Sequence, residues 1–278
     1  MALAARRTPL FGRGGIMKSY FRLLWVFLRV GILNEVQYRV NFFVQILQTL
    51  IALATGLVVL SLVFEYADSL NGWSQPELLV VMGVHFLIGG VVKMFIQPNM
   101  MRLMDEIGQG TLDYTLTKPE NAQLLVSVRE LQFWQIVDVI TGFIVLGWGL
   151  YTAQASLTAL STVSFLLMLF LGITLMYSFW LMIATVTFWV IRVGNIVLIW
   201  QSLYQAGRWP VSIYPGWLRL VLTFLVPVAF AVTIPAETFT GRSSWWQMGF
   251  AVGLTAVLFF IASRIWRWGL SNYSGASA

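Results

Sequence analysis

The chain has 278 residues, of which 59% are hydrophobic and only 10% are charged, with a formal net charge of +6. Soluble domains carry roughly 25% charged residues, so this chain cannot cover a water-facing surface and is expected to be an all-α integral membrane protein. The absence of Cys excludes disulfides and thiolate sites, and the single His85 excludes a zinc site built on several histidines. The Lys and Arg residues stand mostly at the ends of apolar runs, which points to membrane topology rather than nucleic-acid binding.

The N-terminal segment divides into two parts. Residues 1–16 are followed by no apolar run of the signal-peptide type, so we interpret them as a flexible leader before a single transmembrane domain at residues 17–278. Lys18 to Tyr38 has the pattern of an amphipathic helix, which favours a position in the membrane interface. The alternative is that this helix is only the start of the first span. Its key residues are Lys18, Arg22, Trp25 and Arg29.

Val40–Phe64 is predicted to be the first span, since about 20 apolar residues cross a bilayer. Polar and small residues recur on one face of this helix, and polar groups are costly against lipid, so the face should meet protein or a water-filled path. Packing against a partner helix and lining of a substrate path are equally open. The face consists of Asn41, Gln45, Gln48, Thr49, Ala52 and Gly56.

The second span is predicted at Leu78–Gln97, after an acidic loop that marks the outer side. His85 lies within it, and we interpret a lone intramembrane His as a packed, hydrogen-bonded residue rather than a ligand. Lys93 lies near the inner end of the span, and Pro98 should end or kink the helix.

The third span, Leu131–Tyr151, contains an intramembrane carboxylate, Asp138. A carboxylate inside a span must be paired or face water, because its burial in lipid costs a few kcal/mol on insertion scales. Lys93 is the candidate partner, and a structural salt bridge is the favoured interpretation.

Later spans are expected at Leu160–Ile191, from Ile196 onward, and at Trp245–Trp268. Gln201 and Gln205 give the fifth span a polar face. Between the fifth and sixth spans the chain is rich in proline, and its apolar run is at the lower limit for crossing. With six spans, the basic loops and both termini share the cytoplasmic side, so the proline-broken run is predicted to be a re-entrant hairpin on the outer side.

The polar element Gly108–Pro119 interrupts the apolar runs on the cytoplasmic side. Its glycines should end a helix that continues from the second span, and Lys118-Pro119 should end a short helix within the element. From these residues alone, a rigid lever for a soluble partner and an ordinary polar loop are equally supported. The candidate contact residues are Gly108, Gly110, Thr111, Leu112, Asp113, Tyr114, Leu116, Lys118 and Pro119.

The sequence has no phosphate-binding loop and no evident catalytic triad or metal site, so no enzyme activity is expected of it. Any energy from ATP, with its Mg²⁺, would have to enter through another chain.

Two motifs resemble the permease subunits of bacterial type-2 ABC exporters, in particular a branch encoded beside an ATPase. The first is Gly108-x-Gly-Thr-Leu-Asp-Tyr-x-Leu-x-Lys-Pro119. The second combines Arg208-Trp-Pro210, the Tyr214-Pro215 turn and Pro227-x-Ala229-Phe230. The resemblance covers residues 17–270.

This resemblance implies six spans, an N-terminal interfacial helix and outer re-entrant helices. It implies a multi-pass protein of the bacterial plasma (inner) membrane that pairs with a second permease, identical or different, and with two ATPase subunits. Gly108–Pro119 would then be the coupling helix seated in the ATPase, and Thr111–Leu116 would make the contact. The family does not fix a substrate.

Candidates for the translocation path are Gln45, Gln48, Thr49, Gln201 and Gln205. The alternative function is a stand-alone secondary transporter or channel, which would need an ion-coupling site near mid-membrane. Asp138 keeps that alternative open.

Overall fold

The computed structural model describes residues 39–118, 121–155, 158–190 and 194–273. The predicted leader, the interfacial helix with Lys18, Arg22, Trp25 and Arg29, and Pro119 lie outside this part of the chain. Within it the α-helices in chain order are α1 (Arg39–Tyr66), α2 (Gln75–Val91), α3 (Gln97–Gly108), α4 (Asp113–Leu116), α5 (Ala122–Ser127), α6 (Ile136–Thr152), α7 (Ala159–Val186), α8 (Gly194–Ala206), α9 (Gly216–Leu220), α10 (Ile234–Thr240) and α11 (Trp245–Ser271).

The all-helical membrane fold is confirmed. In the described ranges, five helical stretches are long and apolar enough to cross a bilayer, and a bent pair of helices makes a sixth candidate. Four of the stretches contain α1, α6, α7 and α11, and the fifth runs unbroken from Gln75 to Gly108. We call the two ends of the bundle inner and outer after the orientation that the charge pattern predicts.

The stretch from Gln75 to Gly108 shows that Pro98 does not end the second span, which was one of the two outcomes predicted for it. A π-helical turn at Val92–Ile96 joins α2 to α3, and the helix continues through the proline. Pro98 has no N–H to donate to the Met94 carbonyl four residues earlier. That carbonyl instead accepts a hydrogen bond of 3.0 Å from the Gln132 backbone N–H, so the proline leaves no orphan acceptor there.

The second and third spans, α2 and α6, approach each other through glycines. A Cβ added at Gly83 would lie 2.5 Å from the Leu146 backbone nitrogen, and one at Gly142 would lie 2.6 Å from the Leu87 backbone nitrogen. Small residues let transmembrane backbones approach closely and gain dispersion contacts where no hydrophobic effect drives association. This contact fixes the relative position of the two helices that carry His85 and Asp138.

The outer ends of several elements are fastened by Arg242. Its guanidinium donates to both Glu77 carboxylate oxygens, at 2.7 and 2.8 Å, and to the Gly72 carbonyl at 2.6 Å. It also lies 4.7 Å from the centre of the Trp73 ring. The loop before α2 is therefore tied to the turn before α11, across the outer end of the bundle.

The helix at the fifth predicted span is short in the described residues. Helix α8 has 13 residues, or roughly 20 Å at 1.5 Å per residue, which is less than the roughly 30 Å of a bilayer core. It ends because Gly207 packs on Val228, where a Cβ would lie only 2.0 Å from Val228 Cγ1, and because Pro210 follows. The chain still reaches the outer end, since the Ser212 carbonyl accepts a hydrogen bond of 2.6 Å from Asn71.

The proline-broken segment forms the bent pair Gly216–Phe224 and Ala229–Thr240, whose axes meet at 76°. Its first end is held where Arg219 donates to the Ser212 carbonyl, and its second end is followed by Arg242. Both ends therefore lie at the outer end, as a re-entrant hairpin requires. Its buried half, Ala229–Thr233, packs on α7, where Gly172 would place a Cβ 2.9 Å from the Ala231 carbonyl.

Candidate functional site

The centre of the bundle contains a polar cluster around Asp138, in the first turn of α6. The Asp138 side chain accepts a hydrogen bond of 3.0 Å from Gln45 and a further bond from Thr49 on one oxygen. The Lys93 ammonium lies 2.9 Å from its other oxygen, so the predicted ion pair is present. Gln135 extends the cluster by donating to Gln45 at 3.1 Å.

Helix periodicity explains why α1 supplies two partners. Gln45 and Thr49 are four residues apart, so their side chains share one face of the helix, and both are buried. Lys93 lies in the π-helical turn, which shifts its side chain relative to a regular α-helix. The carboxylate is thus satisfied on both oxygens by three side chains from two elements, which is the structural salt bridge that the sequence favoured.

Two adjoining cavities of about 170 and 300 Å³ open beside this cluster. Each is lined by residues of α1, α2 and α8. Gln48 and Gln205 line both cavities and are exposed, so the cavities open to the outside of the described chain. The predicted path residues Gln45, Gln48, Thr49, Gln201 and Gln205 all lie on these cavity walls.

His85 forms one wall of the smaller cavity. It is buried, as predicted, and its ring stacks on Tyr204 with 4.7 Å between ring centres. The Tyr204 hydroxyl donates to the His85 carbonyl at 3.0 Å, and Trp200 stacks on the other side of the tyrosine. Nδ1 of His85 has no hydrogen-bond partner in the described chain, which the prediction of a hydrogen-bonded histidine did not anticipate.

Arg208 belongs to the polar residues that recur near helical spacing in the fifth predicted span, and it was not among the predicted path residues. It follows α8 and lines the smaller cavity. The spacing of Gln201, Gln205 and Arg208 along a helix was the available signal, but the extent of α8 was needed to place the arginine.

The Gly108–Pro119 element contains the expected breakers and short helix. Helix α3 ends at Gly108, Gly110 has φ +71°, and α4 covers Asp113–Leu116. Leu112 is fully buried, so the prediction that its side chain contacts a partner needs correction: it holds the element against the bundle. The element also lies close to Tyr273, just beyond α11: burial of the Tyr273 phenol and the nearby Asp113 carboxylate raise the pKa of that phenol.

The exposed surface of this element is formed by the other residues. Tyr114 has 78% of its side chain exposed, and Lys118 is exposed beside it. Asp113, Thr111 and Leu116 are half-buried, and the glycines Gly108 and Gly110 lie at the entry to the element. A partner that approaches the inner end would therefore meet Tyr114 first.

A salt-bridge network that the sequence did not predict fastens the element to the spans. Both nitrogens of the Arg129 guanidinium fork lie 2.9 Å from the two Glu106 oxygens, and one also donates to Thr115 at 2.8 Å. Arg102 binds the same carboxylate at 3.0 Å. We call these four residues the Arg129 clamp.

Asn99 connects the Arg129 clamp to the π-helical turn. Its side-chain oxygen accepts from the backbone N–H groups of Arg129 and Glu130, at 2.7 and 2.9 Å. Its nitrogen donates to the carbonyls of Phe95 and Glu130, at 2.6 and 2.8 Å. A buried amide with its hydrogen bonds satisfied in this way holds two segments at a fixed distance.

Replacing Asp138 with Ala is expected to lower the free energy of unfolding by about 2 kcal/mol, less than for a fully enclosed pair because Lys93 is 40% exposed. The loss arises because Lys93, Gln45 and Thr49 would all keep unpaired polar groups inside the bundle. Denaturation with sodium dodecyl sulfate measures the change. Asp68→Ala, in the exposed outer loop, is the control and should change stability little. Equal effects of the two substitutions would contradict this account of the cluster.

A model of the family described as ABC-2 family transporter protein matches residues 50–277. No curated protein and no solved structure matches the chain significantly. The matched region includes the Asp138 cluster except Gln45 and Thr49, and all of the Gly108–Pro119 element. Because it spans most of the chain, this protein belongs to the ABC-2 family of transporter proteins and is a permease-type membrane component.

Proposed function

We propose that this protein is the membrane-spanning subunit of an ATP-driven ABC exporter, moved by two copies of a separate ATPase. The observation that carries this proposal is the Gly108–Pro119 element, which presents Tyr114 to the inner side while its base is fixed to the spans by the Arg129 clamp. A lever needs both features, since an unattached loop would absorb the motion of its motor.

The ATPase pushes on the exposed side of α4, and the buried Leu112 and Thr115 transmit the push. Glu106 receives it through Arg129 and passes it to α3, which is continuous with the second span. That span carries Lys93 and His85 on the cavity walls. ATP binding thereby changes the shape of the cavities, and hydrolysis resets it.

A second permease, of the same or a different sequence, completes the path on the open side of the cavities. The outward face of α1 is apolar, with Leu47 and Ile51 more than half exposed, while Gln48 beside them is polar and lines both cavities. A polar side chain is costly against lipid, so a protein surface or water must cover it. The complex lies in the bacterial inner membrane with both termini of this chain in the cytoplasm.

The proposal is tested with an ABC ATPase subunit from the same genome, co-expressed and co-purified with this chain. Tyr114→Ala is expected to weaken the association by roughly thirtyfold, as for an aromatic anchor at an interface, and to abolish ATP-dependent transport. Tyr151→Ala is the matched control, because Tyr151 is 84% exposed at the outer end. Normal co-purification and normal stimulation of ATP hydrolysis by the Tyr114 variant would refute the lever assignment.

A stand-alone secondary transporter is the second candidate, because Asp138 and Lys93 form an ion pair on the wall of an intramembrane cavity. Both oxygens of Asp138 are occupied by protein donors, however, which favours a structural brace over an exchangeable ion site. Proton-driven uptake by the purified chain alone, in vesicles without ATP, would establish this second candidate instead.

A further inference from the structure

The smaller cavity contains a positive charge that no described residue neutralises. Three charged side chains line the cavity, and two of them, Lys93 and Asp138, pair with each other. The third, Arg208, has no carboxylate within salt-bridge distance in the described chain, and its buried Nε has no hydrogen-bond partner there. Its one side-chain hydrogen bond in this part of the chain reaches Gln205 at 3.5 Å, the outer limit for such a bond.

The depth of this charge follows from its contact with α1. A Cβ at Gly56 would lie 3.7 Å from Arg208 Cδ and 3.9 Å from Arg208 Nη1. Gly56 is roughly 15 Å from the outer end of α1 at Tyr66, at 1.5 Å per residue. The guanidinium therefore lies roughly 15 Å, or nearly three helical turns, from the outer end of α1, a position at which ionisable groups usually face a cavity or a pathway.

His85 brings a second unsatisfied polar atom to the same cavity. The residue is 4% exposed, and its Nδ1 has no partner in the described chain. Neutral histidine carries one N–H donor, and arginine carries five donors in a planar fork that matches the oxygens of a carboxylate or phosphate. The buried Arg208 donor without a partner is costly, so this cavity favours an anionic acceptor that the described chain does not supply.

We propose that this cavity is the binding site for the anionic head group of an amphiphilic substrate. An anionic oxygen would be bound by Arg208 and His85, and an apolar tail would lie along the exposed face of α1 at Leu47 and Ile51. The role of the ligand as transported cargo rests on the exporter function proposed above, whereas the binding itself does not.

The test measures binding to the full-length chain, purified without ATPase in a neutral maltoside detergent, by microscale thermophoresis. Dodecyl phosphate is expected to bind at least about tenfold more tightly than dodecyltrimethylammonium, because only the phosphate neutralises Arg208. Equal affinity for the two amphiphiles would overturn the proposal. Inorganic phosphate is the third probe: comparable affinity for it identifies a free-anion site, and much weaker affinity identifies a lipid-like ligand.

Arg208→Gln should abolish the preference for phosphate, while Arg208→Lys should retain part of it. Arg219→Gln is the matched control, since Arg219 belongs to the re-entrant hairpin and binds the Ser212 carbonyl. If Arg208→Gln does not give monodisperse protein, Gly56→Leu fills the space beside Nη1, keeps the charge and should also abolish the preference. A preserved preference in the cavity variants would overturn the inference. If the complex transports in an ATP-dependent manner but the chain shows no preference for anions, the anion-site inference fails and the exporter function is still supported.

Discussion

Replacing Arg129 with Met is expected to lower the free energy of unfolding by about 3 kcal/mol and to separate ATP hydrolysis from transport. The Arg129 side chain is only 5% exposed and forms both bonds of a bidentate pair with Glu106. Methionine has a similar length but no charge, so Glu106 and Thr115 would lose their buried donor while the packing volume is largely kept.

The matched control for this substitution is Arg102→Met. Arg102 binds the same Glu106 carboxylate at 3.0 Å, but its side chain is 46% exposed. Solvent screens such a pair, and its loss should cost less than about 1 kcal/mol. Arg102 also pairs with the half-exposed Glu130, so the control removes two solvent-screened contacts, whereas Arg129→Met removes the buried contacts to Glu106 and Thr115.

Two measurements check this prediction. Denaturation with sodium dodecyl sulfate gives the stability of each variant, and the stimulation of the co-purified ATPase gives the coupling. The Arg129 variant should still associate with the ATPase, because Tyr114 remains exposed, but should transport poorly. Unchanged transport by this variant would show that the Arg129 clamp carries no force between the ATPase and the spans.

Helix periodicity and charge placement were sufficient to predict most of the architecture. The acidic outer loop, the basic inner ends and the glycines at 108 and 110 each act locally, so the spans and the breakers could be read along the chain. The start of the fifth span was predicted from Ile196, but its end could not be read from the sequence because Gly207, just after α8, packs on Val228, a residue twenty-one positions later. The helix does not end at Pro98, because the Met94 carbonyl that the proline cannot bond accepts a hydrogen bond from Gln132, which lies in another element.

The site was predictable only in part for the same reason. The pairing of Lys93 with Asp138 could be predicted because both charges lie near the same end of their spans, and an unpaired charge inside a span costs several kcal/mol. The burial of Leu112 depends on how the chain after Gly110 packs α4 back on the bundle. The role of Arg129 depends on Glu106 lying across from it, and the charge pattern had assigned Arg129 only to topology.

The lever and the cavities are joined through the π-helical turn at Val92–Ile96. Asn99 binds the Phe95 carbonyl of that turn and the backbone of Arg129, while Lys93 in the same turn binds Asp138. A π-helical turn has a displaced hydrogen-bond pattern and frequently occurs at functional sites. A displacement of the Gly108–Pro119 element would therefore reach the cavity wall through this turn.

The rigid contact between α2 and α6 predicts the second large effect. Gly142→Ala is expected to lower the free energy of unfolding by about 2 kcal/mol, even though alanine favours helix more than glycine does. The new Cβ would lie 2.6 Å from the Leu87 nitrogen and 2.9 Å from the Gly83 carbonyl oxygen. Both neighbours are backbone atoms that cannot rotate away, so the two helices would have to separate.

Gly147→Ala is the matched control on the same helix, because a Cβ at Gly147 meets no described atom within 4 Å. It should leave the stability unchanged or raise it by up to about 1 kcal/mol through helix propensity. Denaturation with sodium dodecyl sulfate measures the stability of both variants. An equal loss of stability in the two would contradict the close contact between α2 and α6. Separation of α2 from α6 would also move Lys93 away from Asp138, so Gly142→Ala should weaken ATP-driven transport, whereas Gly147→Ala should leave transport intact.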